Sequence, residues 1–380
     1  HLSANANGSG VLEAYGATNT TINTDDLSSP GGDDYISIHA SANSNWGDNP
    51  AEKSTAIAFD KSTLNTGDGN DQINLNANAT GSETYAYGAL DSIINTGAGN
   101  DNLHVNANTN DNTNWDPAVG LSNTILDLGA GADSLSINAN ANGSGVLEAY
   151  GATNTTINTD DFFSPGGDDY ISISASANSN WGENPAEKST AIAFDKSTLN
   201  TGDGNDEIYL NANASGEVNG MHNSAIYSGS GKDNIQIHVD TNNAGSSKKG
   251  LYNSLISSGS GNDVISVSGN ENFSKNNLDY IVDSSYINSG SGKDYVNIFE
   301  GLLNSSINLG EGNDFLSVQG GIKNSFINAG EGKDTINVNF SKTKKLKWWI
   351  NKGNLVVKDK NSFSFITNWE KISLTTKKSS

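Results

Sequence analysis

The chain has 380 residues and carries 43 acidic against 21 basic side chains, a formal net charge of −22, with no cysteine. Cysteine-based metal sites, disulfides and thiol nucleophiles are therefore excluded, and no apolar run reaches the roughly 18 residues that a helical membrane span needs. Every basic residue is lysine, which makes an acidic chain a poor partner for nucleic acid, where arginine forks and positive charge dominate. Leu, Ile, Val and Phe together make up about a fifth of the sequence, close to the border below which chains cease to bury enough to fold, so a thin core drawn out along a repeat is expected in place of one thick globular core.

Read in chain order, the sequence opens in mid-pattern. His1 is not an initiator methionine, and HLSANANGSG aligns with SINANANGSG at 136–145, so the chain is expected to be a piece of a longer polypeptide. Residues 7–81 recur almost unchanged at 142–216, an offset of 135. A shorter repeat, G-x-G-[NK]-D-x-[apolar]-x-[apolar], lies beneath this duplication. It appears as GDGNDQINL (67–75), GAGNDNLHV (97–105), GDGNDEIYL (202–210), GSGKDNIQI (229–237), GSGNDVISV (259–267), GSGKDYVNI (290–298), GEGNDFLSV (310–318) and GEGKDTINV (330–338), with variants at 30–38, 129–137 and 165–173. Its aspartates are Asp34, Asp71, Asp101, Asp133, Asp169, Asp206, Asp233, Asp263, Asp294, Asp314 and Asp334. A motif S/T-x-[IL]-x-x precedes most of the turns, as in STLNT (62–66) and SFINA (325–329).

After each aspartate, apolar and polar residues alternate: Ile73, Leu75, Ala77 and Ala79 share one face, and Asn74, Asn76 and Asn78 the other. Period-2 patterning predicts half-buried strands, and no helical spacing is sustained. The minimal unit reads as strand, Gly-Asp turn, strand and second turn in about 20 residues, too small to bury its apolar face unless units stack. A β-sandwich array needs more chain per repeat. The fold expected is all-β: a right-handed parallel β-solenoid (β-roll or β-helix) of about eleven coils, with long coils over 1–270 and minimal ones over 271–340. Stretches such as TAIAF (55–59) and TYAYGAL (84–90) either project as loops or add a third strand; the sequence leaves both open.

Stacking brings the repeat aspartates into one column. Like charges about 5 Å apart repel by roughly 3 kcal/mol per neighbour at an effective dielectric near 20. Ten such contacts exceed the stability of a typical domain, so the column must be neutralised. Lys232, Lys293 and Lys333 stand beside their aspartates in only three turns. A divalent cation between turns is the expected solution, and carboxylate and carbonyl oxygens are the hard ligands calcium prefers. The bland alternative is a glycine-rich turn whose aspartate accepts backbone N–H groups.

At these residues the chain resembles the haemolysin-type calcium-binding (RTX) repeat, G-G-x-G-x-D-x-U-x, which forms parallel β-rolls. The resemblance recurs from residue 30 to 338. It implies calcium ligated by the eleven aspartates together with turn carbonyls of Gly67, Gly69, Gly97, Gly99, Gly202, Gly204, Gly259, Gly261, Gly290, Gly292, Gly310 and Gly312. The pattern departs from the family where its first glycine is Thr66, Thr96, Leu128, Ser228, Leu309 or Ala329, and the motif occurs once per coil, implying one ion column.

Composition changes after Phe340. Residues 341–380 hold ten lysines against Asp359 and Glu370, a net of +8 that leaves −30 for residues 1–340. KLKWWI (345–350), NLVVKD (354–359) and SFSFIT (362–367) read as strands of a β-meander cap. Trp348, Trp349, Phe363, Phe365 and Trp369 are its expected plug. The segment also resembles the meander that follows such repeats near a type I secretion signal.

No other constellation carries chemistry. His39, His104, His222 and His238 follow no metal-ligand spacing. Trp46, Trp115 and Trp181, in long insertions, suit either sugar stacking or packing against the loop base. The Asn runs at 74–79 and 138–143 suit side-chain ladders on stacked strands. No nucleophile or metalloprotease motif occurs and the carboxylates repeat, which marks structure over catalysis. The expected function is therefore non-enzymatic: a calcium-stabilised, secreted or cell-surface structural region of a large bacterial protein (scaffold, matrix, S-layer-like or adhesin). Its expected partners are calcium, further copies of itself or cell-surface polysaccharide. A tail module of a secreted polysaccharide epimerase, protease or lipase, or a filament subunit, are the alternatives.

Overall fold

The computed structural model describes residues 1–24, 31–44, 53–81, 83–111, 116–143, 146–160, 166–179, 189–241, 246–270, 280–340, 347–351, 354–359 and 362–375. Among these there are 40 strands and no helix. Each coil runs through a long strand, a middle strand and a three-residue strand before the Gly-Asp turn starts the next. One coil is Gln72–Gly81, Glu83–Leu90 and Ile93–Asn95. Like strands of successive coils pair in parallel and in register, giving a long face of 13 strands, a middle face of 11 and a short face of 14. The chain is thus a parallel β-solenoid of eleven complete coils. The stretches at 55–59 and 84–90 belong to the middle face, which settles the choice between loop and third strand. Even the 20-residue coils keep three strands, as in Tyr295–Phe299, Leu302–Leu303 and Ser306–Asn308, so the strand–turn–strand–turn unit is corrected to three strands and three corners.

Alternation fixes the interior. Ile73, Leu75, Ala77 and Ala79 point inward and are buried, and each lies on its counterpart in the next coil: Leu103, Val105, Ala107 and Thr109. The outward asparagines do form ladders. Asn106 donates to Asn76 at 2.8 Å, Asn108 to Asn78 at 2.9 Å, and Asn140 to Asn108 at 3.0 Å. The 135-residue duplication equals four coils, since Leu2–Gly8 opens the long face and Ser134–Gly143 is its fifth strand. Near-identical coils therefore stack in one continuous sheet instead of forming separate domains.

The C-terminal segment closes the stack by joining two faces. Ser362–Thr367 pairs in parallel with Phe326–Asn328 of the short face and continues as an antiparallel meander through Asn354–Asp359 to Lys347–Asn351. Lys371–Thr375 adds in parallel to the long face. The plug differs from the one expected. Trp348, Trp349, Phe363 and Phe365 are exposed, whereas Phe340, Leu355, Val357 and Ile366 are buried, with Trp369 packed partly against them. Strand parity is the reason: Ser364 and Ile366 face inward, so Phe363 and Phe365 must face out.

Candidate metal site

In most coils the repeat turn leaves the short face through a hydroxyl residue (Leu128, Leu309 and Ala329 stand there in three), then two glycines flank one residue, and Asn or Lys precedes the aspartate. Gly97 (φ 90°) and Gly99 (φ 145°) show why glycine is needed: side chains avoid these angles, and a β-carbon on Gly99 would overlap the carbonyl oxygen of Gly69 in the preceding coil. The turns therefore stack backbone on backbone. The Ala130 N–H donates to the Gly97 carbonyl at 3.1 Å, and the Gly99 N–H to the Ala130 carbonyl at 2.8 Å. The minimal coils repeat the pattern, with Glu311 donating to the Gly290 carbonyl at 2.8 Å and Gly292 to the Glu311 carbonyl at 2.7 Å.

The structure does bring the eleven aspartates into one column, and it gives them a specific partner. Oδ1 of each of the ten from Asp71 onward accepts the backbone N–H of the aspartate one coil earlier: Asp71 from Asp34, Asp101 from Asp71, and so on to Asp334 from Asp314, at 2.8–3.0 Å. The cap extends the series, because Glu370 Oε2 accepts the Asp334 N–H at 2.6 Å. Sequence reading missed Glu370, since it lies outside the repeat. The neighbouring position forms a parallel ladder. The Asn100 N–H donates to the Asn70 side chain at 2.9 Å, and the Lys232, Lys293 and Lys333 N–H groups donate to Asn205, Asn262 and Asn313 at 2.8–3.0 Å. Those three lysines are thus tied to the stack through their amides.

The second carboxylate oxygen is buried. In Asp101, Asp133, Asp206, Asp233, Asp263, Asp294, Asp314 and Asp334 it makes no hydrogen bond. The hydroxyls of Thr96, Thr201, Ser228, Ser258 and Ser289 neighbour the carboxyls of Asp101, Asp206, Asp233, Asp263 and Asp294 and partly offset the rise in their pKa values, while each donates its proton to a carbonyl of the next coil; Thr159 donates to Asp169 Oδ2. Removal from water is the largest influence on these groups and pushes their pKa values up. Asp133, opposite Leu128 with no hydroxyl, is raised to about 9, and Asp169 to about 8.

These residues do not fit a calcium ion between turns. Calcium takes six to eight oxygens. Here one oxygen of each aspartate from Asp71 to Asp334 already holds an amide, and first-glycine carbonyls such as those of Gly97, Gly202, Gly229, Gly259, Gly290 and Gly310 accept amides from the next coil. Second-glycine carbonyls such as that of Gly69 are covered by the glycine stacked on them. The geometry matches the alternative weighed above, an aspartate serving backbone amides. Burial raises the pKa of these carboxyls, a shift that favours their neutral form and lessens the charge repulsion along the column.

A second polar column, unrecognised in the sequence although its motif was visible, turns the other corner. The S/T of S/T-x-[IL]-x-x accepts the N–H of its counterpart one coil earlier: Ser62 to Ser92 Oγ at 3.2 Å, Ser197 to Ser224 at 3.1 Å, and Ser305 to Ser325 at 3.1 Å. Each hydroxyl donates in turn to the carbonyl two residues before it, as Ser62 does to Asp60 at 2.7 Å.

The histidines lie apart. His222 Nδ1 sits 2.6 Å from the buried Asp195 Oδ1 and its ring stacks on Tyr252, while His238 Nδ1 lies 3.0 Å from Ser268 Oγ. Trp46, Trp115 and Trp181 lie outside the described residues. No family model matches the chain, and no curated protein matches it.

Proposed function

We propose that this chain is a non-catalytic structural rod in a secreted or cell-surface bacterial protein, held together by polar ladders of its own residues and independent of calcium. The observation that carries the reading is the unbroken in-register pairing of eleven coils, with a carboxylate rung and a hydroxyl rung at the same two corners of successive coils. Repetition at this fidelity serves length and stiffness: at about 4.8 Å per coil the stack is roughly 50 Å long. The surface suits an aqueous, cation-rich exterior, since residues 1–340 sum to −30 without cysteine. The aspartates are consumed in rungs, which supports structure over catalysis.

Two measurements test the reading. Thermal unfolding followed by circular dichroism gives the same midpoint in EGTA and in millimolar calcium; a midpoint or strand signal that collapses in EGTA overturns the calcium-independent rod. Antibody raised against the chain labels intact producing cells or their medium; labelling only after lysis overturns the surface assignment.

A further inference from the structure

Where the middle face meets the short face, a shallow groove of about 670 Å³ runs along the axis from Lys196 to Phe365. Its composition is unlike the rest of the chain. Among the described residues no Asp or Glu lines it and Lys196 is the one charged residue, in a protein of net charge −22. One wall is made by corner residues in the left-handed region, Asn253, Asn304 and Asn324 (φ 50–51°). The other carries exposed rings: Tyr286, Phe326 and Phe365 are each 40–44 % exposed.

The two walls have complementary chemistry. Asn253 donates to Asn223 at 2.6 Å and Asn324 to Asn304 at 2.8 Å. A side-chain amide has two N–H groups and two lone pairs, so such a ladder leaves hydrogen-bonding capacity facing the groove. On the aromatic wall, Phe326 and Phe365 are adjacent in register, and Tyr286 lies two coils from Phe326 with Ser306 between. Two coils span roughly 10 Å, close to the length of a disaccharide in an extended β-linked glycan. A sugar ring has an apolar C–H face that stacks on an aromatic ring and an edge of hydroxyls that pairs with amides.

We infer that this groove binds a neutral, extended β-linked polysaccharide lying parallel to the solenoid axis, with Tyr286, Phe326 and Phe365 as stacking platforms and the corner asparagines as hydroxyl partners. Neutrality follows from charge, because a polyuronate would approach a strongly acidic rod with only Lys196 to receive it.

Isothermal titration of the 380-residue chain with cellohexaose, chitohexaose and hexagalacturonate tests the site. At least one neutral hexasaccharide binds at millimolar concentration or below, and hexagalacturonate binds more weakly. Tyr286→Ala and Phe326→Ala each weaken that binding by about tenfold, while Tyr35→Ala, removing an exposed ring on the long face, leaves it unchanged. Circular dichroism establishes that the variants keep their strands, and Tyr286→Phe, which keeps the platform, retains binding. Absence of binding to both neutral probes, equal binding by the ring-deleted variants, or preference for hexagalacturonate overturns the inference.

Discussion

Oδ1 of Asp133 lies 2.8 Å from the backbone nitrogen of Asp101, one coil earlier. The same rung repeats through the column, so the residue type that most resembles a cation ligand in the sequence works as an acceptor for buried amides. The choice matters because the two roles respond oppositely to substitution. An asparagine keeps an Oδ1 acceptor and loses the charge a cation needs; an alanine loses both.

Asp206 is the position at which to separate them. It is buried, accepts the Asp169 N–H at 2.9 Å and has the Thr201 hydroxyl as a neighbour. Asp206→Asn keeps the rung and places an NH2 group against the Thr201 hydroxyl, so stability by urea denaturation stays near that of the parent. Asp206→Ala leaves a buried N–H unpaired and lowers stability by about 1–3 kcal/mol. If the asparagine variant lost as much as the alanine variant, the charge of the aspartate would be what the turn requires.

The column also sets a direction for pH. Burial pushes Asp133 to about 9, Asp169 to about 8, and Asp206, Asp263 and Asp314 to about 7, and like charges on neighbouring rungs add to the effect. For Asp133 the facing carboxyls are Asp169, Asp101 and Asp160. In the unfolded chain the same groups ionise near 3.9. Between these values the unfolded state has released protons that the folded state retains, so stability is highest in mild acid, falls as pH rises from about 4 through 7 to 9, and levels off above the folded values. Urea midpoints in EGTA at about pH 5, 7 and 9 are expected to decrease in that order; an increase from pH 5 to 9 would refute the protonated column.

Much of this architecture was legible, because stacking copies one local rule many times. The alternation at Ile73, Leu75, Ala77 and Ala79 identified the inward set, and the Gly-Asp spacing identified the coils. What was not legible depended on neighbours in the next coil. The partner of an aspartate is an amide 20–37 residues away, and no side-chain pattern announces an amide. Glu370 completes the series from outside the repeat. In the cap, aromatic bulk suggested a plug, but the inward parity at Ser364 and Ile366 overrode it.

One packing rule is written in the sequence and becomes readable only with the register. The middle face carries a column of small residues: Gly16, Ala58, Gly88, Gly120, Gly151, Ala193, Gly220 and Gly250. A β-carbon on Gly120 would overlap Cγ2 of Ile137 in the next coil's long strand and the carbonyl of Gly151. Gly16, Gly88, Gly151, Gly220 and Gly250 meet Ile38, Val105, Ile173, Ile237 and Val267 in the same way. Following the long face, the residues in that register one coil after Ala58 and Ala193 are Leu75 and Leu210. Glycine thus accompanies a β-branched neighbour, whose second γ-carbon fills the space, and alanine accompanies leucine, which has a single γ-carbon. Gly120→Ala is therefore expected to destabilise by about 1–3 kcal/mol through overpacking, and Ile137→Leu alone by less than about 1.5 kcal/mol. The double variant recreates the Ala58–Leu75 combination and is expected to be more stable than Gly120→Ala alone, a favourable coupling measurable in a urea double-mutant cycle. Additive losses would mean that the Gly151 carbonyl, and not the branch of Ile137, excludes the side chain.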